Sequence, residues 1–311
     1  MTIEDRLKKL NEIRNNLTDY DYSDLTFMLN ELVPSLPVSV IDFKNKAPER
    51  VAHDFMDYRT FYRARPNNDI NTSVSFPTVS QISYIGEDYT HKIENYGRVN
   101  KPNQSIFYCC TEIQTACFEG LSKGIDLDKL HEVQEKWVTV GLWKLKDDLK
   151  LAEIIATPQL LKQLKADAPG IAITERDIEC AEKYLNSTKT KLGDDDKARI
   201  LQFFSEEFLR TKIDSDKDYM ICNYYADRIM NRIDGFDIKP VDGIIYPSVP
   251  SGFKFKNIAL EPNVVDEKLE FMGAKKVRYV RFPDGKFVLD IKQGSLGVKA
   301  DDKGVIQWKV L

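Results

Sequence analysis

What this sequence lacks narrows its chemistry before any motif is read. No apolar run approaches the ~20 residues that a membrane-spanning helix needs. The opening MTIEDRLKKL has no continuous apolar core of the signal-peptide kind. Histidine is scarce: His53, His91 and His131 stand at no helical ligand spacing, so no metal site is expected. Cys109, Cys110, Cys117, Cys180 and Cys222 form no CxxC pair and no even framework, and read as small buried residues in a reducing cytoplasm. Clustered basic charge is missing as well. With 45 Lys and Arg against 49 Asp and Glu, the formal net charge is -4. Basic runs such as Lys275–Lys276 are too short for the electropositive face that nucleic acid requires. The expected protein is cytoplasmic and metal-free, with neither a membrane nor a nucleic-acid partner.

What is present is ample material for a core: 311 residues, 42% of them hydrophobic. Thr2 can cap a helix whose apolar positions Ile3, Leu7, Leu10, Ile13 and Leu17 recur every three or four residues. A second helix from Ser23 carries Leu25, Met28, Leu29, Leu32 and Val33 until Pro34 stops it. Val38 to Phe43 is extended or a loop, and a helix is expected near Pro48 to Tyr58. Strands are expected at Thr60–Arg65, Ser105–Cys110, Trp137–Leu145 and Leu149–Ile154, and loops over 66–80 and 89–104. A helix from Thr111, with Gln114 in capping-box position, follows the second strand. Helices near 157–166, 173–188, 194–214 and 217–232 then precede strands at Gly243–Tyr246, Asn257–Leu260, Lys276–Phe282, Lys286–Ile291 and Val305–Val310. The fold class is α+β: a mixed sheet with a helical N-terminal extension over residues 1–55, and a catalytic domain over 56–311 interrupted by a helical insertion at about 157–214.

Residues suited to chemistry are few. In the helix after Thr111, Ile113, Ala116, Cys117, Gly120 and Leu121 form the apolar stripe. Glu119 lies about 240° round from Ile113, at ~100° per residue. That position suits a solvated surface glutamate, or a carboxylate sharing a cleft with Tyr108 on the preceding strand. Arg98 and Asn100 follow Gly97, whose freedom to take positive φ would let a tight turn aim the arginine over the strand ends. The planar guanidinium of Arg98 suits a pyrophosphate, though taken alone a loop arginine is more often half of a surface ion pair. Arg63 shares one strand face with Phe61 and Arg65, while Tyr62 and Ala64 hold the other; alternation alone leaves open which face is covered. Ser248 ends the GIIYPS strand behind Pro247, as a turn serine or a hydroxyl presented at a sheet end. Cys109 and Cys110 have no basic neighbour in sequence and read as buried strand residues rather than nucleophiles.

Taken in order, FYR around Arg63, GRVN at 97–100, IFYCC containing Tyr108, ACFE ending in Glu119, YPS ending in Ser248 and NIAL beyond it resemble the RES-domain family. Val99 stands where that family often has an aromatic residue. The resemblance covers about residues 60–154 and 217–262. It implies a fold like that of diphtheria-type ADP-ribosyltransferases and the activity of toxins, from toxin–antitoxin pairs, that destroy NAD by hydrolysis or phosphorolysis. It implies a catalytic set of Glu119, Arg63 and Ser248 and a substrate-binding set of Arg98, Tyr108 and Asn100, with NAD as substrate and no cofactor. Glu119 would stabilise the charge developing at the ribose C1, and Arg63 and Arg98 would hold the pyrophosphate. A protein antitoxin or inhibitor and a second copy of the chain are the partners to look for. Two alternatives stay open: a protein ADP-ribosyltransferase, and a non-catalytic interaction module. The N-terminal helices, each with a narrow apolar stripe, must pack on the chain's own catalytic domain or serve as a docking surface.

Overall fold

The structure, a computed structural model, describes residues 1–44, 60–67, 76–121, 134–167, 173–230, 241–249, 251, 253, 255–282, 287–290, 295–301 and 303–310. The helix expected near Pro48 to Tyr58 lies outside the described residues, as do 68–75 of the expected 66–80 loop and the last two residues of the helix expected to end at 232. In chain order the elements are α1 (Ile3–Asn15), α2 (Tyr22–Leu32), β1 (Val40–Phe43), β2 (Thr60–Pro66), α3 (Val79–Ile82), β3 (Phe107–Cys110), α4 (Ile113–Leu121), β4 (Gln134–Leu145) and β5 (Leu149–Glu153). There follow α5 (Pro158–Asp167), α6 (Glu175–Leu192), α7 (Asp195–Phe208), α8 (Met220–Ile229), β6 (Gly243–Pro247), β7 (Lys256–Leu260), α9 (Pro262–Lys268), β8 (Leu269–Arg281), β9 (Phe287–Asp290), β10 (Ser295–Ala300) and β11 (Ile306–Val310). The fold is α+β with mixed strand pairing, parallel between β5 and β6 and antiparallel elsewhere among the recorded pairs. No helix among the described residues is long and apolar enough to cross a membrane.

The chain divides into two compact units. One comprises Met1–Asp42, Asp88–Gln104 and Lys150–Phe253, and is mostly helical. Thr2 and Asp5 form a reciprocal capping box that starts α1, and Asp21 caps α2 one residue earlier than expected. Leu10, Leu25 and Leu29 are wholly buried, and α1 and α2 pack on α7 and α8. Their apolar stripes are therefore covered by the chain's own helices. Helix α8 is buried along its entire length, so its polar residues must find partners inside. Asp227 accepts from Tyr22 Oη at 2.6 Å and Lys101 Nζ at 2.7 Å, and Arg228 donates to the carbonyls of Val33 at 2.6 Å and Pro34 at 3.2 Å. The N-terminal segment is thus clasped by polar groups that burial would otherwise penalise by about 1–3 kcal/mol each.

The other unit, Phe43–Glu87, Ser105–Leu149 and Lys254–Leu311, is built on strands in the order β7-β3-β2-β4-β8-β10-β11, with β9 also paired to β8. The two faces differ. On one, Tyr62 and Ala64 of β2 pack with Cys117 and Leu121 of α4 and with Val138, Val140, Val277 and Tyr279. On the other, Phe61 is wholly buried, and the Trp143 ring meets Phe107 edge-on at 4.9 Å and Phe271 at 5.3 Å. Full burial of each such side chain contributes roughly 1.5–3 kcal/mol. Gly141 is required here: a Cβ would lie 2.2 Å from Trp143 Cζ3. Against expectation, α4 begins at Ile113 and the Thr111 hydroxyl is buried without a hydrogen bond among the described residues, so it does not cap. Helices α3 and α9, strand β10 and the first half of β8 were not foreseen.

Candidate functional site

Glu119 projects from α4 and is half-buried. Its Oε1 accepts a hydrogen bond from Asn257 Nδ2 at 2.7 Å, and Asn257 Oδ1 accepts from the Cys110 thiol at 3.0 Å. The register places Asn257 opposite Cys110, and Ala259 opposite Tyr108, across the β7–β3 pair. Cys110 is in turn opposite Tyr62 of β2. Directly paired residues share a face, so Tyr108, Cys110, Asn257 and Tyr62 lie on the side of the sheet that α4 covers. Glu119 is therefore brought to the face that carries Tyr108, with its carboxylate held by a buried amide that is 5% exposed. Asn257 is the functional candidate that residue-by-residue reading left unassigned; it opens the NIAL motif, which was its one sequence signal.

Arg63 goes the other way. Alternation along β2 sets it opposite Gly141 with Phe61 and Arg65, away from α4. Its Nη1 donates to the Tyr108 carbonyl at 2.8 Å, its guanidinium stacks over Phe107 at 5.2 Å, and its Nε is buried without a hydrogen-bond partner among the described residues. Burial pushes its pKa down to about 10, with the Cys109 thiol opposing the shift. Arg63 and Glu119 thus lie on opposite faces of the sheet.

In the helical unit, Arg98 is engaged at the end of α7: its two terminal nitrogens donate to the carbonyls of Phe208 and Arg210, and it stacks on Tyr219 at 5.3 Å. Those carbonyls lie at a helix C-terminus, where a cation is favoured. The fork expected for a pyrophosphate is occupied by backbone. Asn100 is buried and donates to the carbonyls of Asn95 at 3.3 Å and Lys101 at 3.2 Å, while Asn223 of α8 donates to the Gly97 carbonyl at 2.6 Å. The loop is fixed by these bonds and by wholly buried Val99. Gly97 takes no left-handed backbone; the described glycines with positive φ are Gly193, Gly273 and Gly304. Ser248 is wholly buried beyond β6, its carbonyl accepting from Phe253 N and Ser251 Oγ, both at 2.9 Å. Phe253 adopts φ 65°, a conformation that bulky residues rarely take, so this turn is held against local preference.

Four cysteines are buried as expected, and burial pushes the Cys117 thiol up to about 12 and those of Cys109, Cys110 and Cys222 higher than usual. None is a ready thiolate. Cys180 is the correction: it is exposed, on α6. A cleft of about 390 Å³ opens in the helical unit beside Arg14, Gln163, Glu207, Arg210 and Lys212; it contains none of the residues singled out from sequence. Glu207 there is wholly buried between Arg14 and Arg210, and burial raises its carboxyl pKa despite them.

No curated protein and no solved structure matches the chain. The family model for the RES domain matches residues 75–281, more than half of the chain and inclusive of Arg98, Tyr108, Glu119, Ser248 and Asn257. By that match, the chain belongs to the RES-domain family.

Proposed function

We propose that this protein cleaves the nicotinamide–ribose bond of NAD, passing ADP-ribose to water or phosphate. The observation that carries the reading is the half-buried Glu119 carboxylate, fixed by Asn257 beside Tyr108 in a chain of the RES family. Breaking the C1–N bond sends its electron pair to the pyridinium nitrogen, so nicotinamide leaves neutral and needs no general acid. The ribose C1 becomes oxocarbenium-like. Glu119 stabilises that charge and accepts from a ribose hydroxyl, while an oxygen of water or phosphate forms the new bond to C1 and the proton of an attacking water passes to solvent. A preorganised carboxylate suits this role because its orientation costs nothing at the moment of reaction.

Asn257 holds Glu119 by donating to one of its carboxylate oxygens. Tyr108 packs against ribose or nicotinamide. Arg63, bonded to the Tyr108 carbonyl, is a positioning residue for the strand that carries Tyr108. Ser248 and Asn100 enter as substrate contacts on the family resemblance alone, while Arg98 serves the end of α7 through its bonds to Phe208 and Arg210. In a cell such an activity would deplete NAD and arrest growth, the behaviour of a toxin restrained by a partner protein. The test is incubation of purified protein with NAD, with and without inorganic phosphate, following nicotinamide and the ribose product. ADP-ribose marks hydrolysis and its 1″-phosphate marks phosphorolysis. Labelled ADP-ribose on protein would replace this reading with a transferase, and intact NAD would remove it.

A further inference from the structure

The bond from Asn257 to Glu119 is the second link of a chain that starts on β3. The Cys110 thiol donates to Asn257 Oδ1 at 3.0 Å, and Asn257 Nδ2 donates to Glu119 Oε1 at 2.7 Å. The backbone under all three residues is held firmly. Cys110 and Asn257 are directly paired across β3 and β7, and both are buried. On α4, Glu119 stands between wholly buried Cys117 and buried Leu121. At the next residue, Gly120, the helix lies so close to β2 that a Cβ would meet that of Ala64 at 3.2 Å. With α4 seated this way, the freedom left to Glu119 is the direction of its side chain.

That direction depends on which way round the Asn257 amide sits. Its oxygen and nitrogen are alike in size, so shape alone does not choose between two orientations half a turn apart. Cys110 does choose. A thiol is a donor and only a weak acceptor. Burial, with the Glu119 charge adding to it, pushes the Cys110 pKa well above its ordinary value, although Arg63 opposes the shift. The thiol therefore keeps its proton and draws an oxygen opposite. With Oδ1 turned to the thiol, Nδ2 faces the carboxylate. The reversed amide would set oxygen against a carboxylate oxygen and nitrogen against the thiol, losing both bonds and adding a repulsion.

We propose that Cys110 is a positioning residue for Glu119: its thiol fixes the orientation of the Asn257 amide, and the amide aims the carboxylate. Its role in turnover rests on the reading of Glu119 as the group that meets the ribose cation. Cys110 touches no substrate and forms no covalent bond in this scheme. Its effect therefore falls on kcat, where the aim of a preorganised charge counts, and little on KM. Cys109 has no such task, because alternation along β3 turns it to the opposite face.

The test compares Cys110→Ser with Cys110→Ala in the full chain. Both remove a similar volume, but only Cys110→Ser keeps a donor. Two quantities are read: nicotinamide release from NAD, and proton exchange of the Asn257 side-chain amide by NMR, its resonance assigned by its loss in Asn257→Asp. Cys110→Ala is expected to lower kcat and to speed amide exchange, each by about threefold to tenfold, the size of one neutral hydrogen bond. KM stays close to that of wild type. Cys110→Ser recovers most of both, whereas a packing role would lower the two variants alike. Should Cys110→Ala not fold, Cys110→Val, which fills the space without a donor, takes its place. Equal kcat in the folded variants with and without the donor, or amide exchange unchanged when the donor is lost, overturns the proposal. If wild type releases no nicotinamide, the NAD reading falls, and amide exchange alone decides whether Cys110 holds Asn257.

Discussion

Replacing Arg98 by alanine removes both donors that close the C-terminal turn of α7. The guanidinium binds the carbonyls of Phe208 and Arg210, the latter at 3.1 Å, and covers the Tyr219 ring. A partly buried cation at a helix C-terminus contributes up to ~2 kcal/mol, and hydrogen bonds to a charged group about 1.5–3 kcal/mol. These overlap, so Arg98→Ala is expected to cost about 2–4 kcal/mol, a large part of the ~5–15 kcal/mol that holds a domain folded. The loss is transmitted because α7 carries Phe204 and Phe208, both wholly buried. Urea unfolding measures it: the midpoint falls while the slope is unchanged. Arg98→Lys recovers less than half, since one ammonium cannot span two carbonyls with a fixed fork. A midpoint equal to wild type, with NAD binding lost, would refute the reasoning and assign Arg98 to the ligand.

Gly141→Ala is expected to destabilise by about 1–3 kcal/mol, because the new Cβ falls 2.2 Å and 2.4 Å from atoms of a Trp143 ring that is 2% exposed; an unchanged thermal midpoint would mean the ring moves freely. Deleting residues 1–35 strips wholly buried Leu10, Leu25 and Leu29 from the helical unit, where losing even one such contact costs about 2–5 kcal/mol. The truncated chain should be insoluble or unfolded by circular dichroism, and a soluble, folded product would make the N-terminal helices a dispensable docking element. Lys276 adds an alkaline signature. Its folded pKa lies below 10.5, so between the two values the unfolded chain binds more protons and stability rises with pH. The urea midpoint of wild type should rise over that window relative to Lys276→Met, and parallel curves would show that burial does not perturb Lys276.

Local pattern made much of this molecule legible. The Thr2 cap, the stripes of α1 and α2 and the alternation of β2 depend on neighbours within four residues, and those the sequence displays. Short or interrupted elements escaped: α9 is seven residues opening with proline, and β8 passes through Gly273. The site was legible in its residue types but not in its orientation. Period-two alternation separated Arg63 from Tyr62 without saying which face α4 would cover. Arg98 looked like a free loop arginine because its partner Phe208 lies 110 positions downstream. Asn257 and Glu119 are 138 positions apart, so the bond that orients the carboxylate is a tertiary fact with no local signal.

The most direct test of the account is nicotinamide release from NAD by the purified chain and by Glu119→Gln, each shown to be folded by circular dichroism. The substitution keeps the side chain's size and its hydrogen bond to Asn257 while removing the charge. Losing electrostatic stabilisation of the C1 cation should slow release by ~100-fold or more. Release by wild type and its collapse in folded Glu119→Gln is the predicted result; no release by wild type, or equal release by both, contradicts it.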